Sequence, residues 1–299
     1  MASSKPSRGH PSGEPLLAWY RTRRDAYPWR ETTDPYAVLV SEVMLQQTQA
    51  ARVVPAYVAF LRRFPTVHAL ARAPRRSVLR AWAGLGYNRR AVALSEAARI
   101  VVSDHGGSIP REPDTLLRLP GVGPYTAAAV ASIAFGRAEA AVDTNVRRVV
   151  ARARLGVEGH EAAPAQIRAR AQAWLDPRAP GDWNQAVMDL GHEVCRPRAP
   201  RCDRCPIARG CRFRASGRVP VSGARRQGAF EGSGRQVRGA VVRVLRSRRS
   251  LSLGGLAART GFPLDRIGAA VSGLAADGIV AAGPAALAGR ARGRVRLPD

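Results

Sequence analysis

Lysine is nearly absent from this chain of 299 residues: Lys5 is the only one among 48 basic side chains. Chemistry that runs through a buried Schiff-base lysine therefore has almost no residue to use. Acidic residues are also few, 22 in all, which leaves a formal charge of +26. That imbalance goes well beyond what solubility asks and points to a polyanionic partner, most simply a nucleic acid. Heavy arginine use can reflect a GC-rich genome, yet such a bias does not explain the excess of bases over acids. No apolar run is long enough to cross a bilayer, and Met1 to Glu14 lacks the apolar centre of a signal peptide. The cytoplasm, around the nucleoid, is thus the expected compartment, with no membrane partner. Cysteine occurs four times in one window, which leaves none for a structural disulfide and agrees with a reducing setting. An apolar content of 45% excludes wholesale disorder, and the length allows two or three domains.

Those cysteines are Cys195, Cys202, Cys205 and Cys211, spaced C-x6-C-x2-C-x5-C among basic residues and prolines. Thiolates this close do not pair easily as two unstrained disulfides, whereas they can close around one compact centre, a 4Fe-4S cluster or a structural zinc. Zinc sites usually show two short knuckles. Only Cys202 and Cys205 form one here, so the spacing favours the cluster.

From Pro15 to about Arg214 the pattern is almost wholly helical, with short Pro/Gly breaks. Between Ala91 and Val102, for example, Leu94, Ala97, Ala98 and Val101 fall on one buried face. Residues 213–236 are rich in Gly, Ser and Arg and predict a flexible basic linker from about 215. Beyond it, Val237–Leu245, Leu253–Ala258 and the stripe Leu264, Ile267, Val271, Leu274 predict three helices, with Ile279–Ala282 and Arg294–Leu297 as a two-stranded wing. The tail from 237 to 299 thus resembles a winged-helix module by pattern. The same pattern suits a small helical cap that only packs.

Leu119-Pro120-Gly121-Val122-Gly123-Pro124 lies between two helical stretches. Its glycines permit a tight hairpin, and the backbone N–H groups of Gly121, Val122 and Gly123, with the following helix N-terminus, can meet a DNA phosphate without touching a base. With PWR at Pro28, SEVMLQQTQ at Ser41, GLGY at Gly84, LPGVGPYTA at Leu119, VDTNVRRV at Val142, NQAVMDLG at Asn184 and the cysteine array, the chain resembles the MutY-type adenine glycosylases of the endonuclease III, helix-hairpin-helix superfamily. The matches keep family order across roughly the first two thirds of the sequence.

The resemblance implies an all-α fold of two domains: a six-helix barrel over 36–142 that carries the hairpin, and an iron-sulfur cluster domain from 15–35 plus 143–214. To these the chain adds a disordered tail over 1–14 and the small module at the end. It implies a monomeric enzyme of base excision repair acting on double-stranded DNA with a mispaired adenine, and a 4Fe-4S cofactor. Glu42 then protonates adenine at N7, and Asp143 stabilises or captures the oxocarbenium-like sugar, a division of labour between carboxylates known from glycoside hydrolysis. Asn145 helps to hold Asp143 and the attacking water. Tyr125 stands where the lyase branch carries its nucleophilic lysine, which implies a monofunctional glycosylase. Extruding a base leaves a gap to fill, and Gln47 and Tyr87 match the family's wedge residues. Arg24, Trp29, Arg30, Leu45 and Gln185 match positions in or near the adenine pocket.

Plain structural roles compete with these. Asp143 also suits a helix cap, Glu42 a helix surface, and the aromatics a core. Two departures from the family are Thr144 in place of a usual glycine and Asn88 where a second aromatic is common. The module is also too short and too helical for the Nudix-like domain with which many members read 8-oxoguanine opposite the adenine. An endonuclease III-like glycosylase/lyase on oxidised pyrimidines and a non-catalytic, zinc-containing DNA-binding protein are the competing functions. Tyr125 and the missing lysines speak against the first, and Glu42 against the second.

Overall fold

The computed structural model describes residues 14–23, 27–221 and 228–299. The expected tail up to residue 13, Arg24 and the linker residues 222–227 lie outside them. Among the described residues the chain is helical throughout, with one small sheet near the end, and no helix is long and apolar enough to cross a membrane.

The helices begin with α1 (Glu14–Arg23), α2 (Pro35–Leu45), α3 (Ala50–Arg63), α4 (Val67–Arg72), α5 (Arg75–Ala81) and α6 (Arg89–Asp104). Next come α7 (Pro113–Leu116), α8 (Pro124–Phe135), α9 (Thr144–Val150), α10 (Pro164–Trp174), α11 (Pro180–Asp189) and α12 (Arg212–Ala215). The last group is α13 (Gly234–Arg246), α14 (Leu253–Thr260), α15 (Leu264–Ala276) and α16 (Pro284–Leu287), with strands β1 (Leu251–Ser252), β2 (Ala281–Ala282) and β3 (Arg294–Arg296). Local chemistry sets many of these limits. Thr66, Asp143 and Ser252 each accept a backbone N–H at the start of α4, α9 and α14. Gly136 ends α8 in the left-handed conformation that glycine adopts at least cost.

Internal contacts divide the chain into two compact units: Met1–Val38, Arg111–Leu117 and Val122–Arg225 in the first, Leu39–Pro110, Arg118–Gly121 and Arg226–Asp299 in the second. In the first, α1 and α8 pack on α11 around Leu16, Tyr20, Val146, Val150, Ile167, Trp183, Val187 and Leu190. Trp174 meets Trp183 edge-on at 5.5 Å. In the second, α6 packs on α4 and α5, and Phe60, Leu70, Leu79, Trp82 and Leu94 are buried. Each such side chain contributes about 1.5–3 kcal/mol of apolar burial. The predicted face of α6 is confirmed, with Ala91 and Ser95 joining Leu94, Ala97, Ala98 and Val101 inside.

The last part of the second unit has winged-helix topology. Helices α13, α14 and α15 pack together, and the antiparallel sheet runs in the order β1-β3-β2, with Leu251 opposite Val295 and Ala281 opposite Arg296. Beyond the expected wing pair there is a third strand, β1, whose two residues are too few to leave a periodic signal. This module is fastened to the helices before it. Arg246 donates to Leu79 O (3.0 Å) and Asn88 Oδ1 (3.1 Å), Arg80 to Arg246 O (2.8 Å), and Arg75 to Gly278 O (3.2 Å).

Candidate active site and thiol cavity

Glu42 sits on α2 with 4% of its surface exposed, between the buried apolar residues Val38, Leu39, Val40, Val43 and Met44. A buried carboxyl group on a helix this apolar is unusual. Leu45 ends the same helix half-buried, and exposed Gln47 follows at φ 56°. Tyr87 lies in the loop before α6 at φ 42°, with 43% of its surface exposed. Among the described residues these two are the only non-glycines with positive φ, and such strain tends to persist where the surroundings enforce it.

Here the enforcing group is Arg90, which the sequence reading passed over. Its guanidinium donates to Val43 O (3.0 Å), Met44 O (2.8 Å) and Gln46 O, and on the other side to Thr48 Oγ1 (2.9 Å), Leu85 O (3.2 Å) and Gly86 O (3.4 Å). One fork therefore ties the loop of Gln47 to the loop of Tyr87. Burial lowers the Arg90 pKa to about 10, although the neighbouring Tyr87 raises it. The only sequence signal was the Arg89-Arg90 pair that opens α6, ahead of its apolar stretch.

The hairpin belongs to the same neighbourhood through Gly121. Gln46 Nε2 donates to Gly121 O at 3.3 Å, Gly121 has φ +77°, and a Cβ there would lie 2.8 Å from Ala93 Cβ. Both backbone angle and space thus require glycine. In the first unit, Gly123 caps α8 in an extended conformation, with Pro124 at the first helical position, and no side chain caps this helix N-terminus.

Asp143 takes up the capping role that the sequence offered for it. It caps α9, with Oδ1 accepting Val146 N at 2.7 Å, while Oδ2 accepts Asn145 Nδ2 at 3.1 Å. Its pKa is raised by burial, against the pull of those hydrogen bonds and of Arg148. Arg148 in turn donates to Asn145 Oδ1 (2.9 Å), Gly191 O (2.6 Å) and Cys195 O (2.7 Å). Asn184 is fully buried and ties down the chain ahead of Asp143, accepting Ala141 N and donating to Glu139 O, both at 2.8 Å. Thr144 simply opens α9.

Three of the expected adenine-pocket residues are in the first unit. The Tyr20 hydroxyl donates to Gln185 Oε1 at 2.5 Å, which orients that amide and leaves Nε2 as its donor end. Arg30 pairs with Asp189 at 2.7 Å and lies over Tyr20 and Tyr27, and Trp29 stacks on Tyr27 at 4.9 Å. Tyr20, Tyr27 and Asp189 are the partners of these side chains that sequence reasoning did not single out. Tyr125 donates its hydroxyl to Met188 Sδ at 3.0 Å.

All four cysteines are free and half-buried, and all line one cavity with Val149, Leu190, Val194, Ile207 and Phe213. Burial raises the thiol pKa values of Cys195 and Cys205, the latter to about 11. Among the described residues no three His, Cys, Asp or Glu side chains are drawn in to the spacing of a single bound ion. Arg152 braces the cavity wall. It pairs with Glu158 at 2.8 Å, both side chains being under 5% exposed, and donates to Arg196 O (2.7 Å) and Pro197 O (2.8 Å) of the cysteine loop. Removing one partner of such a pair costs about 3–5 kcal/mol.

The profile of the family described as HhH-GPD superfamily base excision DNA repair protein matches residues 40–177. Adenine DNA glycosylase of Mycolicibacterium smegmatis is 46% identical over 236 residues, covering 77% of this chain and 79% of that protein. The chain is a MutY-type member of the HhH-GPD superfamily. Human adenine DNA glycosylase is also 46% identical, over 67% of this chain and 38% of its own length. The solved thermostable thymine-DNA glycosylase superposes with a TM-score of 0.64 at 32% identity, covering 68% of this chain and 94% of that one. An endonuclease III–DNA complex, at 24% identity and TM-score 0.57, shares the fold.

Proposed function

We infer that this MutY-type member is a monofunctional adenine DNA glycosylase of base excision repair, acting on duplex DNA in which adenine faces 8-oxoguanine or guanine. The observation that carries this reading is the 46% identity to the mycobacterial adenine DNA glycosylase over most of both chains. The related thymine-DNA glycosylase fold, at 32% identity, is the more distant match.

In the reaction, the bond between adenine and the sugar breaks with its electron pair leaving on the base. Glu42 supplies the proton at N7 that lets the base depart neutral, and its burial keeps bulk water from competing for that proton. The sugar carbon becomes electron-poor, and Asp143 answers that charge before water adds its oxygen. Asn145 and Arg148 favour the charged form of Asp143 against the burial that raises its pKa. Gln185 presents Nε2 to a ring nitrogen of adenine, while Gln47 and Tyr87 fill the gap left by the base. Tyr125 offers no amine for a Schiff base, so the product is an intact abasic strand.

The cysteine cavity suits a 4Fe-4S cluster better than zinc. Its four donors are all thiols, its other walls are mainly apolar, and they surround a space without closing on one point. Bound there, the cluster supplies a four-point crosslink that fixes the basic loop 195–211. Metal analysis is expected to find iron and sulfide; zinc alone would overturn the assignment. The enzyme is expected to work as a monomer in the cytoplasm, on the nucleoid.

A single-turnover assay across duplexes tests the whole reading. Adenine release is expected opposite 8-oxoguanine and guanine, with strands that break only after alkali. Glu42→Gln is expected to lose about a thousandfold or more in rate while still binding DNA. Excision of oxidised pyrimidines, or scission without alkali, would overturn it.

A further inference from the structure

The module over 237–299 carries eleven arginines against three aspartates. Two of those acids are already engaged. Asp277 is held by Arg238 and by Arg89 (3.4 Å), and Asp299 by Arg76 and by Arg296 (2.6 Å). The remaining charge is distributed unevenly. On α15, which in a winged helix is the element placed to enter a groove, the exposed positions are Leu264, Asp265, Ala269, Ser272 and Ala276. Its one arginine, Arg266, donates to Gly232 O at 2.6 Å and lies over Phe262. A helix with that face has almost nothing with which to read base edges.

The wing is the opposite case. Arg290, Arg292 and Arg294 recur at every second residue, all exposed, and among the described residues none has a carboxylate within ion-pair distance. Arg248 and Arg249, also exposed, lead into β1, the strand paired with β3. The turn that carries these arginines is held at several points. Leu253 N donates to Gly293 O (2.9 Å), Gly254 N to Ala291 O (2.8 Å) and Arg290 N to Ala285 O (2.9 Å). A Cβ at Gly293 would lie 2.2 Å from Ala286 N, so the turn is pressed against α16 as closely as glycine allows. The module is itself fixed to α5 and α6 through Arg246, Arg80 and Arg75. The result is a cluster of exposed, unpaired guanidiniums on a braced turn and the start of β3, on the unit that also carries Glu42 and Tyr87.

We propose that the C-terminal module grips the phosphate backbone of duplex DNA with its wing arginines, Arg290, Arg292 and Arg294, while α15 stays out of the grooves. This rests on the reading of the chain as an enzyme of duplex DNA. Unpaired arginines bind phosphate with charge and paired N–H donors, and each contact releases counterions whatever the sequence. The module therefore adds affinity without specificity.

The test uses the full chain with the triple variant R290A/R292A/R294A, the α15 pair A269Q/S272Q, and Gly293→Ala, each titrated with an undamaged duplex over a range of salt. For the triple variant, the slope of log affinity against log salt is expected to flatten by about two to three, and affinity at low salt to fall about tenfold or more. Its single-turnover adenine excision at saturating enzyme is expected to stay at the unsubstituted rate. The α15 pair is expected to change neither. Gly293→Ala keeps every charge but displaces the turn, and is expected to lose part of the affinity. An unchanged slope in the triple variant, a loss in the α15 pair as large as in the wing, or full affinity in Gly293→Ala would each overturn the proposal. If the unsubstituted chain itself neither binds duplex nor releases adenine, the enzymatic reading fails first and takes this one with it.

Discussion

Arg90 and Arg148 each stand behind a functional loop and hold it by its carbonyl groups, yet the two are balanced differently. Arg90 is surrounded by neutral acceptors, five backbone carbonyls and a threonine hydroxyl, and burial is the main influence on it. Arg148 also donates to two carbonyls, but the Cys195 thiol and the carboxylates of Asp143 and Glu158 lie near enough to offset part of its desolvation. The first is a mechanical clamp for the loops of Gln47 and Tyr87. The second joins mechanics to electrostatics, because the carboxylate it attracts is the one assigned to the reaction. Arginine suits both tasks, since its planar fork carries five donors where an ammonium offers three on a point charge.

Substitutions can break the contrast. The largest effect is expected for Arg90→Ala, which strands several buried carbonyls at once and should lower stability by about 3 kcal/mol or more in denaturant unfolding. Arg90→Lys keeps the charge and should recover less than half of that; full recovery would show that charge, and not the fork, matters. Next, Arg148→Ala removes an influence that lowers the Asp143 pKa, so the acid limb of the single-turnover pH profile should move upward. Arg90→Ala should leave that limb where it was. If both variants shift it equally, the distinction between clamp and electrostatic partner is lost.

The smallest effect on stability is expected for Asp143→Asn. The folded state holds this proton more tightly than the unfolded chain, so raising pH through the interval between the two pKa values costs stability. The substituted amide has no charge to bury and retains an oxygen for the cap. The variant should match the unsubstituted chain below that interval and exceed it slightly above, in thermal melts across pH, while losing excision. A deficit at neutral pH would mean that the carboxylate is chiefly a structural cap.

Much of the fold was legible in the sequence because periodicity is a local property. The α6 face, the hairpin glycines and the three helices of the last module each announce themselves within a dozen residues. Strand β1 did not, since two residues carry no period and it exists only by pairing with β3. The candidate site was legible through the family resemblance, which named Glu42 within SEVMLQQTQ. It was illegible where the informative fact is a partner far away in the chain. Tyr20 with Gln185, Asp189 with Arg30, and Arg152 with the cysteine loop all join segments remote in sequence, and in a chain this rich in arginine a buried one looks like any surface one.

Asn88 first stood out as a departure, occupying a place where relatives commonly have an aromatic side chain. Its amide oxygen accepts Arg246, 158 residues further on, at the end of α13. An aromatic ring has no oxygen lone pair of that kind to give in that place. The loop of Tyr87 and the terminal module are thus joined through this one amide, and Asn88→Phe is expected to loosen the hold on α13.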